Sequence, residues 1–398
     1  IDCRANGIYL NIQRYYLMEN DIKLNTIPAL TWNWLKSNNA ILEDELKTEI
    51  DFSECKYEIV SCPDGVNISV SESSDNCDNA KINTNLSSPK SAVLDMPKDT
   101  GIQYKPLSEE KMNGNSGSFG KAESKSIIIE TSGKITEPVV INFKAEGRTY
   151  TNQIIHALPG SEISVILLSE SQTDSGIDFI RTKCFAEENA KINLYKVQLL
   201  GNGFYRIDST ESVCGENANV NFTELQLGAA SVYTGAYTSL EGYKSSYNSD
   251  TAYFRHNSQK IDMNYVCCHK GKKTECKMAV AGSLKDEAEK TYRGTIDFKR
   301  GCASSKGNET EETLLLSKKV VNKSVPIILC DEEDVEGEHG ATIGRLSEDV
   351  LFYMNAHGIS EEEAEKIMSK AKVQAVLVKI PSEKIREKVS EFMGKIFE

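Results

Sequence analysis

Six carboxylates stand in the eight residues from Asp331 to Glu338, and His339 follows them directly. A neutral imidazole nitrogen binds iron, zinc or copper, and nearby carboxylates raise an imidazole's pKa and draw cations. The plainer reading of the same run is a solvated acidic turn. Cys330 precedes it, at the end of the apolar run Pro326–Leu329. A thiolate near an imidazole is iron-ligating chemistry. The end of an apolar run equally suits a thiol buried as a small hydrophobe. His339 and Cys330 are therefore the candidate metal ligands. They are expected on a loop at the seam between a β region and an α region, where a rigid scaffold presents binding groups.

A second group, Cys267, Cys268, His269 and Cys276, places three thiols and an imidazole within ten residues. Neighbours in a strand point to opposite faces, so Cys267 and Cys268 cannot meet one ion without a bulge. The spacing matches no zinc ribbon, and packing is favoured over metal binding there. Gly271-Lys272-Lys273-Thr274 resembles the end of a phosphate loop, but Val266 stands where the first glycine is required. The chain is thus expected to bind no ATP itself. No G-x-S-x-G elbow or H-E-x-x-H pair appears, and no enzyme activity is expected.

The elements that must position these residues are mostly strands. Ser126–Glu130, Pro138–Phe143, Ile163–Leu168 and Lys191–Leu199 are short, β-branched and separated by Gly, Asn or Pro. No helical pattern intervenes before about Gly301, which argues against alternating strand–helix units. Glu188–Leu199 aligns with Glu216–Leu227, 28 residues on, and Ile163 lies 29 residues before Ile192. Self-similarity at this period points to a stacked solenoid, and all-strand rungs make it a β-helix. Such a stack has open ladders at its ends, which is a physical reason for caps and for dimerisation through the last rung. Beyond His339 the pattern turns helical. Ser347 suits an N-cap, Gly358 a stop, and Ser360 with Glu363 a capping box. Ala364, Ile367, Met368 and Ala371 are expected on one helix face, and Ile385, Val389, Phe392 and Ile396 on the next.

The predicted organisation is an N-terminal helical cap over residues 1–62, an irregular connection with short strands over 63–123, a β-helix core over 124–340 and a C-terminal helical domain over 341–398. The first of these rests on the spacing of Leu30, Trp34, Leu35 and Leu42, with Trp32 and Trp34 as anchors. Residues 1–17 are expected to lie upstream of a natural start at Met18. A formal charge of −13 argues against nucleic-acid binding and against a polybasic membrane anchor. No window approaches eighteen apolar residues, so no membrane span is expected. Eleven cysteines without a regular framework or a secretion signal suggest reduced thiols in the cytoplasm.

Three stretches resemble the SufB/SufD family of the Suf iron–sulfur cluster assembly system. They are Gly340–Gly344 (GATIG) after His339, Leu351–Ala364 (LFYMNAHGISEEEA) and Ser305–Ser317 (SKGNETEETLLLS). The resemblance is strong from about Tyr292 onward and extends back to about Ser124. It implies a right-handed parallel β-helix core, docking of the SufC ATPase through the C-terminal helices, and a SufB-type paralogue or a second copy as dimer partner. It also implies that a histidine at the position of His339 faces the partner at a cluster-assembly site, where a transient cluster or iron is held. Glu311-Glu312-Thr313 stands where the B-type has a cysteine, and Gly340 where it usually has glutamate, so the resemblance is to the D-type, SufD-like subunit. Two other readings stand beside it: a β-helix polysaccharide lyase or hydrolase, and a purely structural adaptor.

Overall fold

A computed structural model describes residues 23–28, 36–41, 53–71 and 126–397. The residues carrying the N-terminal helical pattern (Leu30, Trp32, Trp34, Leu35 and Leu42) lie outside them, as do residues 1–17 and 72–123. The described parts of 1–71 hold short strands, β1 (Lys23–Leu24), β2 (Ala40–Ile41), β3 (Ser53–Glu54), β4 (Lys56–Ser61) and β5 (Val66–Ser71). β6 (Ser126–Thr131) then leads into two long strands, β7 (Val139–Ala157) and β8 (Glu162–Ala186). The two halves of each belong to opposite walls of a parallel β-solenoid.

The first wall continues through β9 (Lys191–Leu199), β11 (Asn219–Gln226), β13 (Ser246–Arg255), β15 (Glu275–Leu284), β17 (Ser305–Leu315) and β19 (Val335–Gly344). The second continues through β10 (Gly203–Cys214), β12 (Ser231–Leu240), β14 (Lys260–His269), β16 (Glu289–Phe298) and β18 (Val321–Cys330). From β10 on, each strand pairs in parallel with the strand two places before it. The sequence repeat is one rung of this stack: Ile192 pairs with Val220, 28 residues on, and Ile163 with Ile192.

One corner of each rung is closed by a residue with left-handed backbone. Gly160, Asn189, Asn217, Lys244, Lys273 and Ser304 hold φ between 52° and 73°. Each donates its N–H to a carbonyl of the next rung, at 2.6–3.0 Å. Glycine and asparagine reach that conformation cheaply. Beside this corner Gly271 stacks on Gly242, where a Cβ would fall inside contact distance of the Gly242 carbonyl. The lumen is filled by inward side chains such as Ile141, Leu194, Phe222, Met278 and Ile296. Seven of the nine described cysteines are buried, and all nine are free.

Three helices follow, α1 (Glu348–Ala356), α2 (Glu361–Leu377) and α3 (Glu383–Ile396). Ser347 caps α1, with its Oγ accepting from Val350 N at 3.3 Å, and Ser360 with Glu363 forms the capping box of α2. The buried face of α2 differs from the expected one. Ile367 is 46% exposed, while Ala364, Val373, Val376 and Leu377 are buried. The first wall selects that face, because its outward Leu168, Leu199, Leu225, Leu227 and Phe254 need cover. α3 adds Ile385, Val389 and Met393 to the same cluster. Each such side chain contributes roughly 1.5–3 kcal/mol by leaving water. Ion pairs pin the margins, Lys388 with Glu170 at 2.8 Å and Lys379 with Asp250 at 2.7 Å.

The second wall is covered from the N-terminal side. Asn25 donates to Asp262 at 2.6 Å, and Arg293 Nε donates to the Ser37 carbonyl at 2.5 Å. At the far end, β18 and β19 have no strand beyond them among the described residues.

Candidate metal-ligand sites

The structure corrects the expectation of a loop at His339. Val335–Gly344 is a strand, and His339 pairs with Glu309 of β17. A Cβ on Gly337 would meet Phe298 at 3.1 Å and Ile328 at 3.2 Å, so Gly337 faces the lumen. The period of two puts His339, Ala341 and Ile343 on that same face. Among the described residues no rung covers them. His339 is exposed, and Ile328 and Ile343 beside it are 37% and 40% exposed. The last rung therefore offers an imidazole, an apolar strip and two free strand edges to whatever stacks on it.

The acidic run does not gather around the histidine. Glu332 accepts from Gly301 N at 2.8 Å, and Asp334 from Ser304 Oγ at 2.8 Å, so both close the corner. Glu336 pairs with Lys306 at 2.8 Å, and Glu338 accepts from Asn308 at 3.1 Å. These last two lie on the outer face, opposite His339 by strand alternation.

Cys330 ends β18 and is exposed, so it is not a buried packing thiol. Its Sγ–H donates to the Glu332 carbonyl at 3.1 Å. It lines a shallow depression with Arg300, Asp331, Glu332, Glu333 and Val335, and His339 is not part of that lining. The corner and the first four residues of β19 separate the two candidates. They are not gathered into one ligand set of this chain.

Beneath His339 the lumen is polar, which sequence reasoning missed. The Glu309 carboxyl lies beside the Tyr292 hydroxyl, in space left by Gly294, whose Cβ would be 2.8 Å from both. Burial pushes Glu309 up to about 7. Lys290 contacts Glu311, which also accepts from Thr313 at 3.1 Å. Deeper, Tyr265 contacts Glu224, which accepts from Gln226 at 2.9 Å and from Thr234 at 3.1 Å. Deeper still, Arg206 bridges Asp178 and Asp208, and Lys196 contacts Asp208. The only signal in the sequence was charged residues at inward positions of otherwise apolar strands.

The second thiol group divides as strand alternation requires. Cys268 faces outward beside Tyr237 and Val266. Cys267 and His269 face inward, and Cys276 reaches them from β15. The ligating atoms of these three all lie within 4.8 Å of one another, the only such group among the described residues. All three are buried. The Cys267 thiol and His269 hold Cys276 below the ordinary thiol range, while burial raises Cys267.

Residues 140–372 match the SufBD core domain of SUF-system iron–sulfur cluster assembly. The chain is 30% identical over 121 residues to the iron–sulfur cluster assembly protein SufD of Bacillus subtilis, covering 30% of this chain and 28% of that protein. It is 25% identical over 182 residues to a chloroplastic SufBD family protein of Arabidopsis thaliana, 46% of this chain and 33% of that one. A Staphylococcus saprophyticus SufBD family protein is 25% identical over 198 residues, 49% of this chain and 42% of its own length. The matches thus span less than half the length of these relatives.

Proposed function

The chain belongs to the SufBD family, and from that premise we propose that it is a D-type subunit of a Suf iron–sulfur cluster assembly complex, working in the cytoplasm. The observation that carries this reading is the uncovered last rung, where His339 stands on the lumen face between two free strand edges. A B-type relative, or a second copy, would stack its own last rung there and satisfy the open ladders. The cluster is cargo of this interface. His339 supplies a neutral nitrogen to iron, and the remaining donors come from the partner, because among the described residues no thiol joins the histidine in one ligand group. Cys330, beyond the corner, is a weaker candidate for the same cargo.

The chain is not an enzyme in this reading, and ATP is hydrolysed by a SufC-type ATPase docked on α1. That helix buries none of its residues, and Phe352 and Tyr353 are 77% and 65% exposed. Among the described residues no helix is long and apolar enough to cross a membrane. A polysaccharide-cleaving β-helix would need an open groove over a wall, and here α2 and α3 cover the first wall.

The test is capture of the tagged full chain under reducing conditions with mass spectrometry. An ABC-type ATPase and a SufB-type protein are expected. Phe352→Ser with Tyr353→Ser should lose the ATPase and keep the paralogue. His339→Ala should keep both and lose cluster maturation in cells, with stability changed by no more than about 0.5 kcal/mol. Full maturation with His339→Ala would leave the histidine a bystander, as a purely structural adaptor requires.

A further inference from the structure

We propose that Cys267, His269 and Cys276 form a resident binding site for a thiophilic d10 metal ion, Zn(II) or Cu(I), inside the solenoid and two rungs below its open end. The site is separate from the exposed His339, and it does not depend on the role proposed for the last rung.

The fold builds it from one corner. β14 delivers Cys267 and His269 two residues apart on its lumen face. The chain turns through Lys273, at φ 56°, and β15 returns Cys276 as its second residue. Two thiolates and an imidazole are a soft donor set, suited to zinc or copper and not to magnesium or calcium. Around such an ion, donor atoms sit about 3.5–3.8 Å apart. His269 Nε2 and Cys276 Sγ are already 3.3 Å apart, and the whole set lies within 4.8 Å.

The imidazole is oriented as ligating histidines are. His269 Nδ1 lies 2.7 Å from Thr274 Oγ1, which has its own acceptor in the Gly271 carbonyl at 3.3 Å. Thr274 thus takes the hydrogen bond from Nδ1–H, and the Nε2 lone pair points at Cys276. Support of this kind fixes the tautomer and ring angle at metal sites. Thr274 is itself held, its N–H donating to Ser305 Oγ at 3.0 Å, and the Phe298 ring lies tilted at 30° against the imidazole with centroids 4.6 Å apart. The corner is a buried frame, with Cys267, His269 and Thr274 all 0% exposed.

Binding releases the thiol protons to solvent and changes no oxidation state. The purified full chain, stripped with chelator under reducing conditions, is given Zn(II), anaerobic Cu(I) or Fe(II), desalted, and assayed for bound metal. About one equivalent of zinc or copper is expected, with a raised melting temperature. Cobalt(II), used as a probe, should give thiolate-to-metal charge-transfer bands. Cys276→Ala and His269→Gln should lower affinity at least tenfold, whereas Cys268→Ala, on the same strand but facing outward, should not. Should a variant fail to fold, alkylation mapping of the wild-type chain decides: metal must protect Cys267 and Cys276 together during partial unfolding. A folded wild-type chain that retains no zinc or copper, equal binding by Cys276→Ala, or protection of neither thiol would overturn the assignment.

Discussion

Replacing Glu309 by glutamine should make the solenoid more stable at pH 8 and leave it nearly unchanged near pH 4.5. Glu309 is 3% exposed, and burial moves its carboxyl from 4.5 to about 7. Below about pH 4.5 the folded and unfolded chains both hold the proton. Between 4.5 and 7 the folded state alone keeps it, so stability falls as pH rises through this window. Above 7 the carboxylate is ionised in both states and the full penalty persists. A change from 4.5 to about 7 corresponds to about 3 kcal/mol. Glutamine has the same shape, keeps a polar group beside Tyr292 and cannot ionise. The variant should therefore gain up to about 3 kcal/mol at pH 8. Solenoids open rung by rung, so denaturant midpoints should be read together with hydrogen exchange of the β17 amides at both pH values. An equal gain at pH 4.5 and 8 would mean a packing effect. A loss at pH 8 would mean that attraction to nearby Lys290 outweighs burial. Either result would refute the reasoning.

Two further outcomes follow from the packing. Removing α2 and α3 uncovers Leu168, Leu225, Leu227 and Phe254 together, so the truncated chain should aggregate; a monodisperse, fully folded product by size exclusion and circular dichroism would contradict this. It follows that ATPase docking has to be tested on Phe352 and Tyr353 and not by deleting the helices. Arg206→Met strands Asp178 and Asp208 without their shared guanidinium and should cost about 3–5 kcal/mol. The cost should shrink as pH falls toward the carboxylate range, as a pH series of urea melts would record.

The stacked β architecture was legible in the sequence because a solenoid writes its rung length into the chain. The register Ile192–Val220 is the same 28-residue repeat that aligns Glu188–Leu199 with Glu216–Leu227 in the sequence. The helix starts at Ser347 and Ser360 were equally legible, since capping is chemistry among residues three or four apart. Three motif stretches likewise carried the family from sequence alone.

What the sequence could not decide depended on partners far along the chain. Val335–Gly344 is poor in β-formers and rich in Glu and Gly, yet it is a strand because β17 offers it a ladder. The face of α2 was misjudged because a 3.6-residue stripe marks a side, and only the wall beneath shows which side is buried. Cys330 ends an apolar run but stays exposed, because among the described residues no rung follows it. Alternation correctly divided Cys267 from Cys268, but the meeting of Cys267 and His269 with Cys276 required the corner at Lys273. The charges in the lumen, Arg206 with Asp178 and Asp208, were not legible, since burial is a property of the stack and not of any one strand.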